Sequence, residues 1–164
     1  MVKKNSGIYF IMGVSGCGKS TIGNLLADKL NVPFYDGDNY HSELNVKKMA
    51  SGRPLTDNDR QDWLRSLNDL ARSHSQKGAV IACSALKESY RHILDADLKG
   101  NSKWIYLDGS FEDIMNRLRK RKGHFMPSDL LKSQFETLEP PHKAIQVSIN
   151  RAPEEIVENI MEQI

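Results

Sequence analysis

Residues Gly13-Val14-Ser15-Gly16-Cys17-Gly18-Lys19-Ser20 complete the pattern G-x-x-x-x-G-K-[ST]. They lie between an apolar run, Ile8-Tyr9-Phe10-Ile11-Met12, and a segment of helical periodicity. That context gives the pattern physical meaning. A strand delivers the chain, glycines let backbone N–H groups converge where a Cβ would obstruct them, and the N-terminus of a helix adds its dipole. Such a loop cradles phosphate with Gly13, Ser15, Gly16, Cys17 and Gly18. Lys19 reaches the β- and γ-phosphates, the Ser20 hydroxyl ligates Mg2+, and Thr21 completes the nucleotide-binding set. The loop leaves the fate of the γ-phosphate open, because kinases, hydrolysing switches and motors share it. No base-reading N/T-K-x-D motif is present, and the strand candidate ending Ile81-Ala82-Cys83-Ser84 carries no carboxylate. Protein ligands to the metal must therefore be Ser20 and acidic residues from elsewhere.

Short apolar runs alternate with helix-length segments along the whole chain. Strands are expected at 8–12, 32–35, 79–83, 104–107 and 144–149. Helical spacing covers 20–30 (Ile22, Leu25, Leu26, Leu30), 59–76 (Trp63, Leu64, Leu67, Leu70, Ala71), 111–122 (Ile114, Met115, Leu118) and 153–164 (Ile156, Val157, Ile160, Ile164). The alternation predicts an α/β fold with a mainly parallel sheet. At 164 residues, with no repeat or low-complexity linker, the chain reads as one domain, 1–164. Gly123-His124-Phe125-Met126-Pro127 interrupts the pattern, and Ser128 then reads as the N-cap of a helix over 129–138. A helix–loop–helix here projects from the sheet, either as a peripheral hairpin or as a mobile lid over roughly 117–138.

A formal charge of +2 weighs against a dedicated polyanion binder. The cluster Arg117, Arg119, Lys120, Arg121, Lys122 has three readings: a solvated helix face, a nucleic-acid surface, or a lid that reaches nucleotide phosphates. The interleaved aromatics of a stacking platform are missing, which disfavours the second. Arg117 and Arg121, one turn apart in the helix expected over 111–122, share a face and could meet one nucleotide. Cys17 and Cys83 form no metal or disulfide spacing and read as buried thiols in a reducing compartment. No apolar run approaches the ~20 residues that span a bilayer, and the run after Lys3-Lys4 is too short for a secretory signal. The expectation is a cytoplasmic protein without membrane or nucleic-acid partners.

Asp36-Gly37-Asp38 follows the second strand, at the carboxyl edge where α/β proteins bind ligands. If the segment is extended, the two carboxylates point the same way. One can hold Mg2+ through water while the other accepts the proton of an attacking hydroxyl. Asp-Gly-Asp is also good turn chemistry.

The ordered blocks Gly13–Ser20, Val32-Pro33-Phe34-Tyr35-Asp36-Gly37-Asp38, Lys48-Met49-Ala50-Ser51-Gly52, Pro54-Leu55-Thr56-Asp57-Asn58-Asp59-Arg60, Cys83-Ser84-Ala85-Leu86-Lys87, Arg121-Lys122-Gly123-His124-Phe125 and Gln134-Phe135-Glu136-Thr137-Leu138-Glu139 together resemble the gluconokinases. The wider resemblance is to shikimate and adenylate kinases, with a five-stranded parallel sheet and a helical lid. A shikimate kinase would carry a glycine triplet where this chain has Ser84-Ala85-Leu86-Lys87. The resemblance implies transfer of the γ-phosphoryl of ATP to the terminal hydroxyl of D-gluconate, giving 6-phosphogluconate, in a homodimer. Another small-molecule or nucleotide kinase is the alternative, and a non-catalytic RNA-binding or switch module a distant third. By analogy, Asp36 serves Mg2+, Asp38 orients the acceptor hydroxyl, and Arg117 and Arg121 serve the nucleotide, Arg121 with a catalytic role beside Lys19. Arg60 is the expected anchor of the acceptor's carboxylate, since a guanidinium pairs carboxylates bidentately. The competing reading is a solvated arginine among Asp57, Asp59 and Asp62. Lys87 is expected at gluconate or a phosphate, and His41 at the polyol, although a lone loop histidine is more often structural. Arg91 reads as a surface helix residue, while Arg151 and Pro153 are weaker candidates for covering the purine.

Overall fold

The computed structural model describes residues 6–121 and 128–164. Its sheet holds five strands: β1 (Ile8–Met12), β2 (Phe34–Asp36), β3 (Ala79–Ala82), β4 (Ser102–Asp108) and β5 (Ile145–Ser148). All neighbours run parallel, in the order β2-β3-β1-β4-β5. Seven helices connect and flank them among the described residues: α1 (Lys19–Leu30), α2 (Glu43–Ala50), α3 (Asp57–Ser73), α4 (Glu88–Asp95), α5 (Phe111–Lys120), α6 (Ser128–Thr137) and α7 (Pro153–Gln163).

The period-2 geometry of β1 divides the core into two layers. Tyr9 and Ile11 pack into the layer with Leu26 and Leu30 of α1 and Ile156, Val157 and Ile160 of α7. Ile8, Phe10 and Met12 pack into the opposite layer with Trp63, Leu64 and Leu67 of α3 and Tyr90 and Leu94 of α4. All five residues of β1 are buried, which is why the run lacks polar alternation. β1 pairs with β3 on one side and β4 on the other, so the strand order reverses around it. The loop leaving its carboxyl end therefore opens at the topological switch point, where open α/β sheets bind ligands.

Several boundaries differ from the sequence-based expectation, three of them for reasons visible in the local hydrogen bonding or capping. β2 begins at Phe34 rather than at 32, because Val32 still closes the end of α1 by donating to the Ala27 carbonyl at 3.0 Å. Asn31 adopts the left-handed conformation there, with φ 56°. α3 begins at Asp57 because Thr56 and Asp59 form a reciprocal capping box, which satisfies two backbone donors. α6 includes Ser128 as its first residue rather than as its cap. Helix α2 has no counterpart in the expectation; its start is marked by Ser42, whose Oγ accepts from Asn45 N–H at 3.2 Å. Residues 122–127, including the expected loop at 123–127, lie outside the described residues.

Candidate active site

The candidate site is assembled at the carboxyl edge of the sheet. Gly13 N–H donates to the Ser84 carbonyl at 3.3 Å, tying the phosphate loop to the segment after β3. Gly18 is the N-cap of α1 at φ 99°, a conformation that penalises a Cβ. The nearest atom to a Cβ built there is Arg117 Nη1, 3.9 Å away, so a guanidinium borders the loop's exit. The Lys19 ammonium folds back onto the loop, donating to the carbonyls of Gly13 at 3.0 Å and Val14 at 3.1 Å. The Gln134 side chain of α6 holds Ser15: Oε1 accepts from Ser15 N–H at 2.8 Å and Nε2 donates to Ser15 Oγ at 3.0 Å.

Ser20 and Asp36, the two expected metal ligands, meet directly. Ser20 Oγ donates to Asp36 Oδ2 at 3.0 Å. The Asp36 side chain also accepts from Asp38 N–H, through Oδ1 at 3.0 Å, because Asp36 caps a 3-10 turn over Gly37–Tyr40. The two carboxylates are therefore not successive same-side positions of an extended segment: the turn chemistry of Asp-Gly-Asp wins, and Asp36 is spent partly on holding Asp38. Gly37 is required by proximity, since a Cβ there would lie 2.5 Å from the Ala82 carbonyl oxygen. Beneath this edge, burial pushes the Cys83 thiol up to about 12, with Lys19 lowering it and Asp38 and Asp36 raising it. Such a thiol stays protonated and inert.

The set Ser20, Asp36, phosphate oxygens and water suits Mg2+, which takes few protein ligands and keeps several waters. Among the described residues no group of three or more His, Cys, Asp and Glu side chains could hold a metal by itself.

The other residues expected at the acceptor lie around the 3-10 turn and the start of α3 and α4. Trp63 Nε1 donates to the Gly37 carbonyl at 2.8 Å, and His41 stacks on Trp63 with ring centroids 4.1 Å apart and planes at 18°. His41 Nδ1 is buried and has no hydrogen-bond partner among the described residues. Burial lowers the His41 pKa from its ordinary 6.5, Asp38 raises it and Arg60 lowers it, so these three share one neighbourhood. Arg60 is not a solvated helix-start arginine. Its Nη1 donates to the Leu55 carbonyl at 2.8 Å and to the Tyr90 hydroxyl at 3.2 Å, and its guanidinium lies 5.5 Å from the Tyr90 ring centroid. Lys87 donates to both oxygens of Asp57 at 3.2 Å. The Tyr90 hydroxyl also donates to Asp57, and Arg60 Nη1 lies 3.9 Å from the same carboxylate.

Of the residues expected at the nucleotide, Arg117 donates to the Ile149 carbonyl, linking α5 to the segment after β5. Arg121 does not share its face. α5 ends at Lys120, and Arg121 is its C-cap, exposed, with ψ 117°. Arg119 and Lys120 are exposed, as is Arg151, while Pro153 opens α7. Arg91 is the main surprise. It is buried, with Nη1 donating to the Ala85 carbonyl at 2.7 Å and Nη2 to the Glu139 carbonyl at 2.8 Å. It pins the turn after β3, where Ala85 has φ 45°, to the segment that follows α6. Sequence reasoning missed Asp57, Tyr90 and Gln134, whose partners lie 30 or more residues away and leave no periodic signal.

Comparison with known proteins gives the family. The family model described as shikimate kinase matches residues 15–164. The chain is 49% identical to a probable gluconokinase of Mus musculus, covering 96% of this chain and 97% of that one. It is 44% identical to the thermoresistant gluconokinase of Escherichia coli K12, covering 96% and 93%. Among solved structures, a gluconokinase from Sinorhizobium meliloti 1021 superposes with a TM-score of 0.90 at 39% identity, covering 98% of this chain and 92% of that one. The five-stranded parallel sheet is that of the P-loop kinases.

Proposed function

The chain belongs to the gluconokinase family, and from that premise we propose that it transfers the γ-phosphoryl group of ATP to the terminal hydroxyl of D-gluconate, releasing ADP and 6-phospho-D-gluconate. One observation carries the reading: Asp36 joins the two halves of the site, accepting from Ser20 of the phosphate loop and from Asp38 of the acceptor edge. A kinase needs donor and acceptor aligned along one axis, and little covalent chemistry is asked of the protein.

In the proposed reaction the loop N–H groups and Lys19 hold the β- and γ-phosphates, for which Lys19 leaves the carbonyls of Gly13 and Val14. Ser20 and Asp36 would hold Mg2+, which when bound neutralises charge on the phosphate oxygens. Asp38 accepts the proton of the attacking hydroxyl as its oxygen bonds to the γ-phosphorus, and the bond from that phosphorus to the bridging oxygen of ADP breaks. Arg60 and Lys87 anchor the acceptor's carboxylate at the far end, and neutral His41 faces the polyol. Arg117 borders the nucleotide, and Arg121 reaches the transferred group from the end of α5.

We read the chain as one domain with its lid at roughly 117–138. A homodimer is supported by the apolar side chains Leu44, Val46 and Met49 exposed on α2. No helix among the described residues is long and apolar enough to cross a membrane, which is compatible with work in the cytoplasm. Incubation with MgATP and gluconate should give gluconate-stimulated ADP release and a product of 6-phosphogluconate mass, with shikimate and nucleoside monophosphates inactive. Folded protein without gluconate-stimulated release would overturn the reading.

A further inference from the structure

The two cations placed at the acceptor's carboxylate already face a carboxylate of the chain itself. Asp57, the first residue of α3, accepts from Lys87 Nζ with both oxygens at 3.2 Å and from the Tyr90 hydroxyl, and it lies 3.9 Å from Arg60 Nη1. We propose that Asp57 is a specificity-determining residue: a built-in competitor that the acceptor's carboxylate must displace from Lys87 and Arg60. The inference rests on the acceptor-site reading above and adds to it a criterion for which molecules are admitted.

The physical argument starts from charge. Arg60 and Lys87 with Asp57 sum to one positive charge, which a monoanion neutralises and a neutral polyol leaves untouched. A neutral hydroxyl offers an ammonium or guanidinium a weaker partner than the carboxylate it already has. It therefore gains nothing by entering. A substrate carboxylate is Asp57's equal in kind and can replace it. Asp57 is well suited to yield, because its side chain is 59% exposed and water receives it when the cations turn away. The Tyr90 hydroxyl keeps a hold on it during the exchange. The same hydroxyl bond, followed by that of Lys87, holds the Asp57 carboxyl below its ordinary pKa, so the competitor is ionised at neutral pH. Selection here works by raising the threshold for the wrong molecule as well as by attracting the right one.

Asp57→Asn keeps the size of the side chain and removes the charge; Asp69→Asn, an exposed residue of the same helix paired with Arg72, is the control. In the ADP-release assay, Asp57→Asn should lower the gluconate KM about two- to five-fold, the range expected from releasing exposed ion pairs, with the effect in KM rather than kcat. An NMR titration with sodium acetate, which needs no turnover, should show acetate binding tightened by a similar factor in Asp57→Asn. D-glucitol, the neutral counterpart of gluconate, should bind no better. An unchanged or raised gluconate KM together with unchanged acetate affinity would overturn the proposal. If acetate tightens while even the wild-type protein fails to phosphorylate gluconate, the anion competitor stands and the assignment of its acceptor falls.

Discussion

The carboxamide of Gln134 closes on Ser15 from two sides, accepting from its backbone N–H at 2.8 Å and donating to its hydroxyl at 3.0 Å. A helix 119 residues away in sequence thus satisfies a donor in the phosphate loop that a nucleotide would otherwise occupy. Gln134→Ala leaves that donor without its protein partner, at a cost of about 1 kcal/mol, or a Tm about 3 °C lower in nucleotide-free protein. With saturating MgATP the deficit should shrink, because phosphate takes over Ser15 N–H. Thermal melts of both proteins with and without nucleotide check this, and an equal deficit in the two conditions would contradict it.

Lys19→Ala and Asp38→Ala should each reduce kcat by about 10²-fold or more, since each removes a group acting on the charge or the proton in the transition state. Neither side chain is part of the apolar layers, so circular dichroism should show folded protein in both. Activity near the wild-type level in either variant would remove that residue from its proposed role.

Arg60→Lys keeps the charge and loses the planar guanidinium, whose Nη1 meets both Leu55 and Tyr90 and whose fork can pair a carboxylate bidentately. The expected outcome is a gluconate KM raised about tenfold, with the ATP KM unchanged and kcat less affected. Steady-state titration of each substrate separates these terms.

His41 contributes a pH dependence to stability whose sign follows from its burial. Its folded pKa lies below the ordinary 6.5, so below that value the unfolded chain binds more protons than the folded one. Stability is fully present above about pH 6.5 and falls as the pH drops below it. His41→Phe retains a flat ring against Trp63 and removes both the titration and the unpartnered Nδ1. Urea unfolding between pH 5 and 7.5 should show a shallower slope for this variant than for the wild type.

The parts of the site visible in the sequence are those fixed by local chemistry. The phosphate loop needs only its own glycines and a strand before it, and β1 matches its expected limits residue for residue. Asp36 and Asp38 are placed at the right edge, but their relation is not extended, because a carboxylate two residues before a backbone N–H can capture it. Arg117 and Arg121 obey helical spacing only while the helix lasts, and it stops between them. The triad of Asp57, Lys87 and Tyr90 comes from α3, the turn after β3 and α4, elements that meet through packing. Arg91 looks like a surface residue until Ala85 and Glu139 are seen to present carbonyls to it.

Two residues past the end of α6, Glu139 is fastened by three bonds: its N–H donates to the Leu86 carbonyl at 2.7 Å, its carboxylate accepts from Glu88 N–H at 2.7 Å, and its carbonyl accepts from Arg91 at 2.8 Å. Gln134, inside the helix, holds Ser15 at 2.8 and 3.0 Å, so this short stretch is fixed at both ends. The stretch from Gln134 to Glu139 is thus a strap that ties the phosphate loop to the turn after β3.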